Sequence, residues 1–237
     1  MATQQVLREW PPGYGGVERV AHELASVWGG AVYSLDAQPY QCLEPDPLPV
    51  SYKRFHLPRM AFGRLLLPLP SQALFSLLFS SQPLHGHLPS PGILLILLLA
   101  RVLRPSRRVT AHWHLFLEPT LDLNGRLFSA YQWLALCVAR RLSGVITTSP
   151  LLRRELLLAG CNGERVFVLP CCLSIEQENA ALIMQPNRHR PSQPFRVLFI
   201  GRLESYKRLD LLIQALLLLS NPWQLVVVGE GPKRRFL

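Results

Sequence analysis

Three groups of residues in this 237-residue chain are of types that do chemistry as well as packing. Gly15 and Gly16 stand directly before an apolar-periodic segment. A glycine pair at the mouth of a helix lets a ligand approach backbone N–H groups, whose partial positive charge favours an anion. Arg202 and Lys207 follow Gly201 at the end of the apolar run 195–200. A forked guanidinium and a mobile ammonium, held at the carboxyl end of a parallel strand, together neutralise a diphosphate. His112 follows the short strand segment 108–111, with Trp113 and His114 beside it, and carries a titratable ring. Each group also has a plainer reading: a tight turn, a solvated basic loop, a satisfied polar residue at a strand terminus. His85 and His87 are two positions apart and so point to one side of a strand, but a metal site needs a third ligand that the spacing does not announce.

The elements that must hold these residues read as alternating strands and helices. A short first strand ends near Leu7, and Trp10 to Gly16 is a turn-rich loop. Val17, Val20, Ala21, Leu24 and Val27 or Trp28 then recur at helical spacing until Gly29-Gly30 stops the helix, and 31–35 is a second strand. A proline-rich surface segment follows. Residues 72–80 and 92–103 read as apolar helices, 108–111 as a strand, 126–142 as a helix and 144–147 as a strand. Ser149-Pro150 caps the next helix, which Gly160 closes. Residues 185–194 are polar, proline-rich and without periodicity, the pattern of a linker. Beyond them 195–200 reads as a strand, 207–219 as a helix and 225–228 as a strand. The alternation predicts an α/β fold with a parallel sheet wrapped by helices. It divides into a domain over 1–184, a linker over 185–194 and an incomplete second domain over 195–237.

Composition narrows the class. Apolar residues make up 49% and charged residues 17%, which excludes a disordered chain. Lys and Arg number 25 against 15 Asp and Glu, a balance of +10 that attracts polyanions, anionic headgroups or a diphosphate-bearing substrate. The basic residues are scattered in pairs, with neither zinc-finger spacing nor an aromatic RNA-binding signature, so no nucleic-acid partner is expected. The five cysteines form no C-x-x-C pair and no ligand set with histidine. Together with the lack of an apolar leader in the first ten residues, this points to a reducing, cytoplasmic setting. Leu65 to Ala100 contains no Asp, Glu, Lys or Arg, but prolines break it into pieces too short to span a bilayer.

Taken in order, Gly15-Gly16-Val17-Glu18-Arg19-Val20, His85-Gly86-His87-Leu88-Pro89-Ser90-Pro91, Val109-Thr110-Ala111-His112, Gly201-Arg202-Leu203 through Lys207 to Asp210, and Val226-Val227-Val228-Gly229-Glu230-Gly231-Pro232 resemble the family 4 nucleotide-sugar glycosyltransferases. That resemblance implies a GT-B fold: a Rossmann-like N-terminal lobe followed by the first βαβ unit of a second Rossmann-like lobe. It implies transfer of a sugar from a nucleotide-diphosphate-sugar to a lipid-linked or polysaccharide acceptor, with peripheral contact at the cytoplasmic membrane face. No metal and no cofactor beyond the donor substrate are implied. Gly15 and Gly16 would lie at the donor phosphates, Arg202 and Lys207 would hold the departing diphosphate, and His112 would face the sugar and acceptor, with His85 and His87 lining or bracing the acceptor side.

The sequence departs from the family's pattern in two places. Family members carry a glutamate pair eight positions apart that grips the donor sugar and ribose. Of Glu176, Glu178, Glu204 and Glu230, none is followed by a second glutamate at that spacing. Where the family has a proline and an Asn-Gly turn, this chain has Pro170-Cys171-Cys172, and vicinal cysteines do not supply positive-φ geometry. These departures predict a C-terminally truncated chain, inactive or incomplete by itself. The alternative reading is a non-catalytic, basic module that binds a membrane surface or a partner.

Overall fold

The computed structural model describes residues 2–9, 16–37, 50–62, 65–117, 123–171, 175–183 and 194–236. In chain order these form β1 (Gln4–Glu9), α1 (Gly16–Trp28), β2 (Ala31–Ala37), β3 (Lys53–His56), β4 (Arg59–Phe62), β5 (Leu65–Pro68), α2 (Gln72–Phe79), β6 (Leu84–Leu88), α3 (Pro91–Leu103), β7 (Val109–Trp113), α4 (Leu123–Ala139), β8 (Gly144–Thr147), α5 (Pro150–Leu158), β9 (Val166–Val168), α6 (Ile175–Ile183), β10 (Phe195–Ile200), α7 (Leu209–Leu217) and β11 (Trp223–Val228). Contacts divide the chain into two units, Met1–Ile175 and Glu176–Leu237. Of the expected linker 185–194, all but Pro194 lies outside the described residues.

The first unit is built on a seven-stranded sheet in the order β3-β2-β1-β6-β7-β8-β9, every neighbouring pair parallel. Strand order reverses between β1 and β6, since β1 leads on to β2 at one side and β6 to β7 at the other, and open α/β sheets bind ligands at the carboxyl ends flanking such a point. Side chains alternate across a strand, and here the alternation separates two unlike faces. Val6, Tyr33, Leu84, Leu88, Val109, Ala111, Trp113 and Val145 join the main apolar core with α2, α3 and α4. The opposite face has a small apolar patch under α1, made by Leu7, Val32, Ala21, Ala25 and Tyr52. Beside that patch lie buried polar residues: Gln5, His85, His87 and His112.

Gly86 explains how the layers close. A Cβ there would lie 2.8 Å from the Leu97 side chain, so only glycine lets α3 back this tightly onto β6. Local signals account for the helix starts. The Ser71 and Ser149 side chains accept from the backbone N–H groups of Leu74 and Leu152, satisfying donors that a helix N-terminus leaves open.

The structure corrects three sequence expectations. The proline-rich surface segment contains β3, which pairs with β2, and the β4–β5 hairpin; its Leu57 and Leu66 are core residues. The helix expected over 126–142 ends at Ala139, where Arg141 and Leu142 N–H bond three residues back to Val138 and Ala139 and tighten the last turn. The helix expected to begin at Lys207 begins at Leu209, because Arg208 adopts a left-handed conformation (φ 51°) between a 3-10 turn, Ser205–Lys207, and α7.

One cation of the basic pairs is structural. Arg107 is buried and donates to the carbonyls of Leu77 and Gln82 (both 2.7 Å) and to Gln4 Oε1 (2.8 Å). It neutralises the carbonyl end of α2 and is not offered to a polyanion. Among the described residues no helix is long and apolar enough to cross a membrane.

Candidate functional site

In the first unit the register aligns two H-x-H patterns. His85 lies opposite Thr110 and His87 opposite His112, while Gln5 of β1 lies opposite His85. His87, His112 and His114 stack nearly parallel, with centroids 5.7 Å apart at 10° for His87–His112 and 4.4 Å at 11° for His112–His114. His85 stands edge-on to His87 and His112, and Trp28 covers it from α1. One ring nitrogen from each of His85, His87 and His112 lies within 4.8 Å of the others. The third imidazole that the spacing of His85 and His87 did not announce therefore comes from β7. The signal that finds it is the matching alternation of Thr110, His112 and His114 with His85 and His87.

The hydrogen bonds fix which nitrogens carry protons. Gln5 Nε2 donates to the Ala21 carbonyl (3.3 Å), which leaves Gln5 Oε1 to accept from His87 Nε2–H (3.0 Å). His87 Nδ1 then has a lone pair and accepts from His114 Nε2–H (3.0 Å). Thr110 Oγ1 donates to the Leu84 carbonyl (3.4 Å) and accepts from His85 Nδ1–H (2.8 Å), leaving a lone pair on His85 Nε2. Burial disfavours the charged form of all four rings. It brings His85 and His114 to about 3 and His112 to about 4, and holds His87 well below the ordinary range, with neighbouring imidazoles adding repulsion for His85, His87 and His114. At neutral pH the cluster is uncharged, and each ring keeps one basic nitrogen.

Gly16 opens α1 just past the carboxyl end of β1. A Cβ on Gly16 would meet nothing within 4 Å, so packing does not require the glycine. Gly15 lies outside the described residues.

In the second unit β10 and β11 pair in parallel, and the pairing continues past the strand ends. Gly201 N–H donates to Val228 O (3.0 Å), Leu203 N–H to Glu230 O (2.9 Å) and Lys233 N–H to Leu203 O (3.0 Å). The approach is so close that a Cβ on Gly229 would lie 1.8 Å from the Gly201 carbonyl oxygen. This ladder and the buried Leu203 hold the turn that presents Arg202 and Lys207, both exposed. Lys207 Nζ sits 5.2 Å from the Tyr206 ring centroid, and Arg208 is committed to Asp210 (3.2 Å). Beside the turn is a cleft of about 440 Å³ whose lining includes Glu204, Ser205, Asp210 and Lys233.

Comparison with known proteins places both units. A family model described as Glycosyltransferase Family 4 matches residues 14–177, and one described as Glycosyl transferases group 1 matches residues 183–237. No curated protein sequence matches the chain. Among solved structures it is similar to Anabaena Alr3699/HepE in three complexes. With UDP the TM-score is 0.65 at 16% identity, over 98% of this chain and 61% of that one. With UDP and glucose it is 0.67 at 16%, over 98% and 62%; with UDP-glucose it is 0.65 at 17%, over 97% and 61%. The chain thus spans about three-fifths of the length of that protein. At this identity the likeness establishes the fold, and the α/β, GT-B type architecture expected from the sequence is borne out.

Proposed function

The chain belongs to glycosyltransferase family 4, and we propose that it serves the transfer of a sugar from a nucleotide-diphosphate-sugar to a lipid-linked or polysaccharide acceptor. The observation that carries this reading is the turn after β10, where a backbone ladder holds two exposed cations, Arg202 and Lys207, at the carboxyl end of a parallel strand. As the anomeric bond breaks, the leaving diphosphate gains charge. Fixed cations stabilise that charge more in the transition state than in the ground state. They supply this without a metal cofactor. Gly15 and Gly16 admit the donor phosphates to the start of α1, and His112 positions the sugar. The UDP and UDP-glucose bound by HepE support a nucleotide-diphosphate donor. Because the residues after Pro170 contain no glutamate pair eight positions apart, these 237 residues alone bind the diphosphate without turning the donor over.

Phosphorus NMR of UDP and other nucleoside diphosphates, titrated with the full chain, tests this reading. The expected result is a shift of the diphosphate resonances that weakens at least tenfold in affinity in the double variant Arg202→Ala/Lys207→Ala. No shift with any nucleoside diphosphate, or a shift indifferent to both substitutions, would refute it. Sugar transfer by the chain alone would refute the inactivity.

Membrane contact is a second reading, favoured by α4. That helix leaves Leu127, Trp133 and Leu134 exposed together with Arg126, and the exposed Arg141 follows just past its end, apolar anchors beside cations that suit an anionic headgroup layer. Co-sedimentation with anionic vesicles, lost at raised salt, is the expected outcome. Binding indifferent to lipid charge refutes it.

A further inference from the structure

We propose that His85, His87 and His112 form a binding site for one divalent transition-metal ion of the zinc or cobalt type, with His114 as the imidazole that completes or closes it. The inference is independent of the transferase reading, since it concerns what three lone pairs on adjacent parallel strands can hold.

The geometry points first to unmet valence. His85 Nε2 and both ring nitrogens of His112 are buried and have no hydrogen-bond partner among the described residues. A neutral imidazole carries one donor and one acceptor nitrogen, and a buried polar atom without a partner is destabilising. Three such atoms in one cluster call for an occupant that accepts lone pairs from several directions.

The surrounding hydrogen bonds are those a metal site uses. A ligating histidine ordinarily gives its other ring N–H to a carbonyl, carboxylate or hydroxyl, which fixes the tautomer and aims the lone pair. Thr110 does this for His85, and Gln5, itself anchored to the Ala21 carbonyl, does it for His87. Both partners leave a basic nitrogen on their histidine. An all-imidazole set without a carboxylate suits zinc, cobalt, nickel or copper and not magnesium or calcium.

Distance is the remaining requirement. One nitrogen of each ring lies within 4.8 Å of one nitrogen of each of the others, whereas a tetrahedral ion with bonds of about 2.0–2.1 Å brings its ligand nitrogens to about 3.4 Å. Closing the widest gap needs roughly 1.4 Å, within reach of modest ring rotations because imidazole χ2 wells are broad. His114, whose Nε2 donates to His87 Nδ1 at 3.0 Å, gives up its hydrogen bond when the ion arrives and can turn to offer its unprotonated Nδ1 as the fourth ligand. An ion here occupies a lone pair of His112, so it acts as an inhibitor or a structural brace of the first unit and not as a cofactor of sugar transfer.

Cobalt(II) titration of the purified, metal-stripped full chain, read by visible absorption and reversed by zinc(II), tests the proposal. Expected are one ion per chain, the intense d–d bands of a tetrahedral nitrogen-ligated ion, and no thiolate-to-cobalt charge-transfer band. His85→Gln and His87→Gln each weaken binding by at least tenfold, while His56→Ala leaves it unchanged. The wild-type spectrum is decisive even if a variant fails to fold. A spectrum like that of aqueous cobalt, a thiolate charge-transfer band, or tetrahedral bands that survive both cluster substitutions would overturn it, and the cluster would then be a hydrated polar pocket.

Discussion

Acid should unfold the first unit well above the pH at which its carboxylates titrate. His85, His87 and His112 are fully buried and neutral, and their charged forms are disfavoured mainly by burial. The linkage sign follows from a folded-state pKa below the unfolded value of about 6.5. Above pH 6.5 neither state binds the proton and the histidines exact no penalty. Below it the unfolded chain takes up protons that the folded chain refuses, so stability falls until the folded-state values, about 3 for His85 and about 4 for His112, are reached. Each imidazole contributes a slope of about 1.4 kcal/mol per pH unit, which integrates to about 2 kcal/mol between pH 7 and pH 5. His85 and His112 together lose about 4 kcal/mol, and His87, held well below the ordinary range, adds to the loss, against a whole stability of roughly 5–15 kcal/mol for an ordinary domain. A loss of about 2 kcal/mol or more is the expected result. The assay is urea unfolding followed by far-UV circular dichroism across that interval, with amide exchange at β6 and β7 as the local readout. His85→Gln should cut the pH slope by about a third whatever it does to the midpoint. A stability that is flat between pH 7 and pH 5, or resonances of His85, His87 or His112 in the folded chain titrating near 6.5, would refute the account.

Arg107→Met should cost about 3 kcal/mol in a denaturant titration, because the Leu77 and Gln82 carbonyls and Gln4 Oε1 lose their donor. Arg107→Lys should not rescue it, since a single ammonium cannot reach three diverging acceptors; full rescue would show that charge alone matters. Gly229→Ala should displace the turn after β10, as its Cβ would lie 1.8 Å from the Gly201 carbonyl oxygen. Protease cleavage near Arg202 should then rise, and an unchanged digest would count against the close approach. Ser149→Ala should cost about 1 kcal/mol through the lost cap on α5, measurable as local amide exchange at Leu152.

The parts of the fold legible in the sequence are those where a local signal and a tertiary need coincide. Gly29-Gly30 after an apolar-periodic run stopped α1 because both glycines adopt positive φ (66° and 99°). Ser149-Pro150 opened α5 because its cap is formed within four residues. The strand 195–200 matches β10 residue for residue, an apolar run ended by glycine. Illegible were β3 to β5, since short strands in a proline-rich stretch are defined by the partner that pairs with them and not by their own pattern. The site divides the same way. Arg202 and Lys207 were visible as cations after a strand, but the ladder that presents them depends on Gly229 and Glu230, more than twenty residues on. His85 and His87 were visible as a pair on one side of a strand. Their partnership with His112 depends on the register between β6 and β7, which no local spacing encodes.

That register has a physical cause. Gly86, between the two histidines, faces Leu97 at a distance that admits no Cβ, while Leu84 and Leu88, on the same side, enter the core with Val109, Ala111 and Trp113. A slip of one residue would drive His85 and His87 into the contact with α3 and turn Leu84 and Leu88 onto the polar stripe, so the apolar face alone selects the pairing. The four imidazoles are thus brought together by the hydrophobic packing on the far side of the sheet and not by attraction among themselves. Burial keeps all four uncharged, and repulsion from neighbouring rings adds to it at His85, His87 and His114. The fold holds a set of basic nitrogens in an arrangement they would not adopt unaided. Lone pairs held in that way favour an occupant, which on the two proposals above is a sugar hydroxyl at His112 or a metal ion across the cluster. Because both need the same His112 nitrogens, zinc should weaken whatever sugar binding His112 supports, and His85→Gln should relieve that antagonism without removing His112.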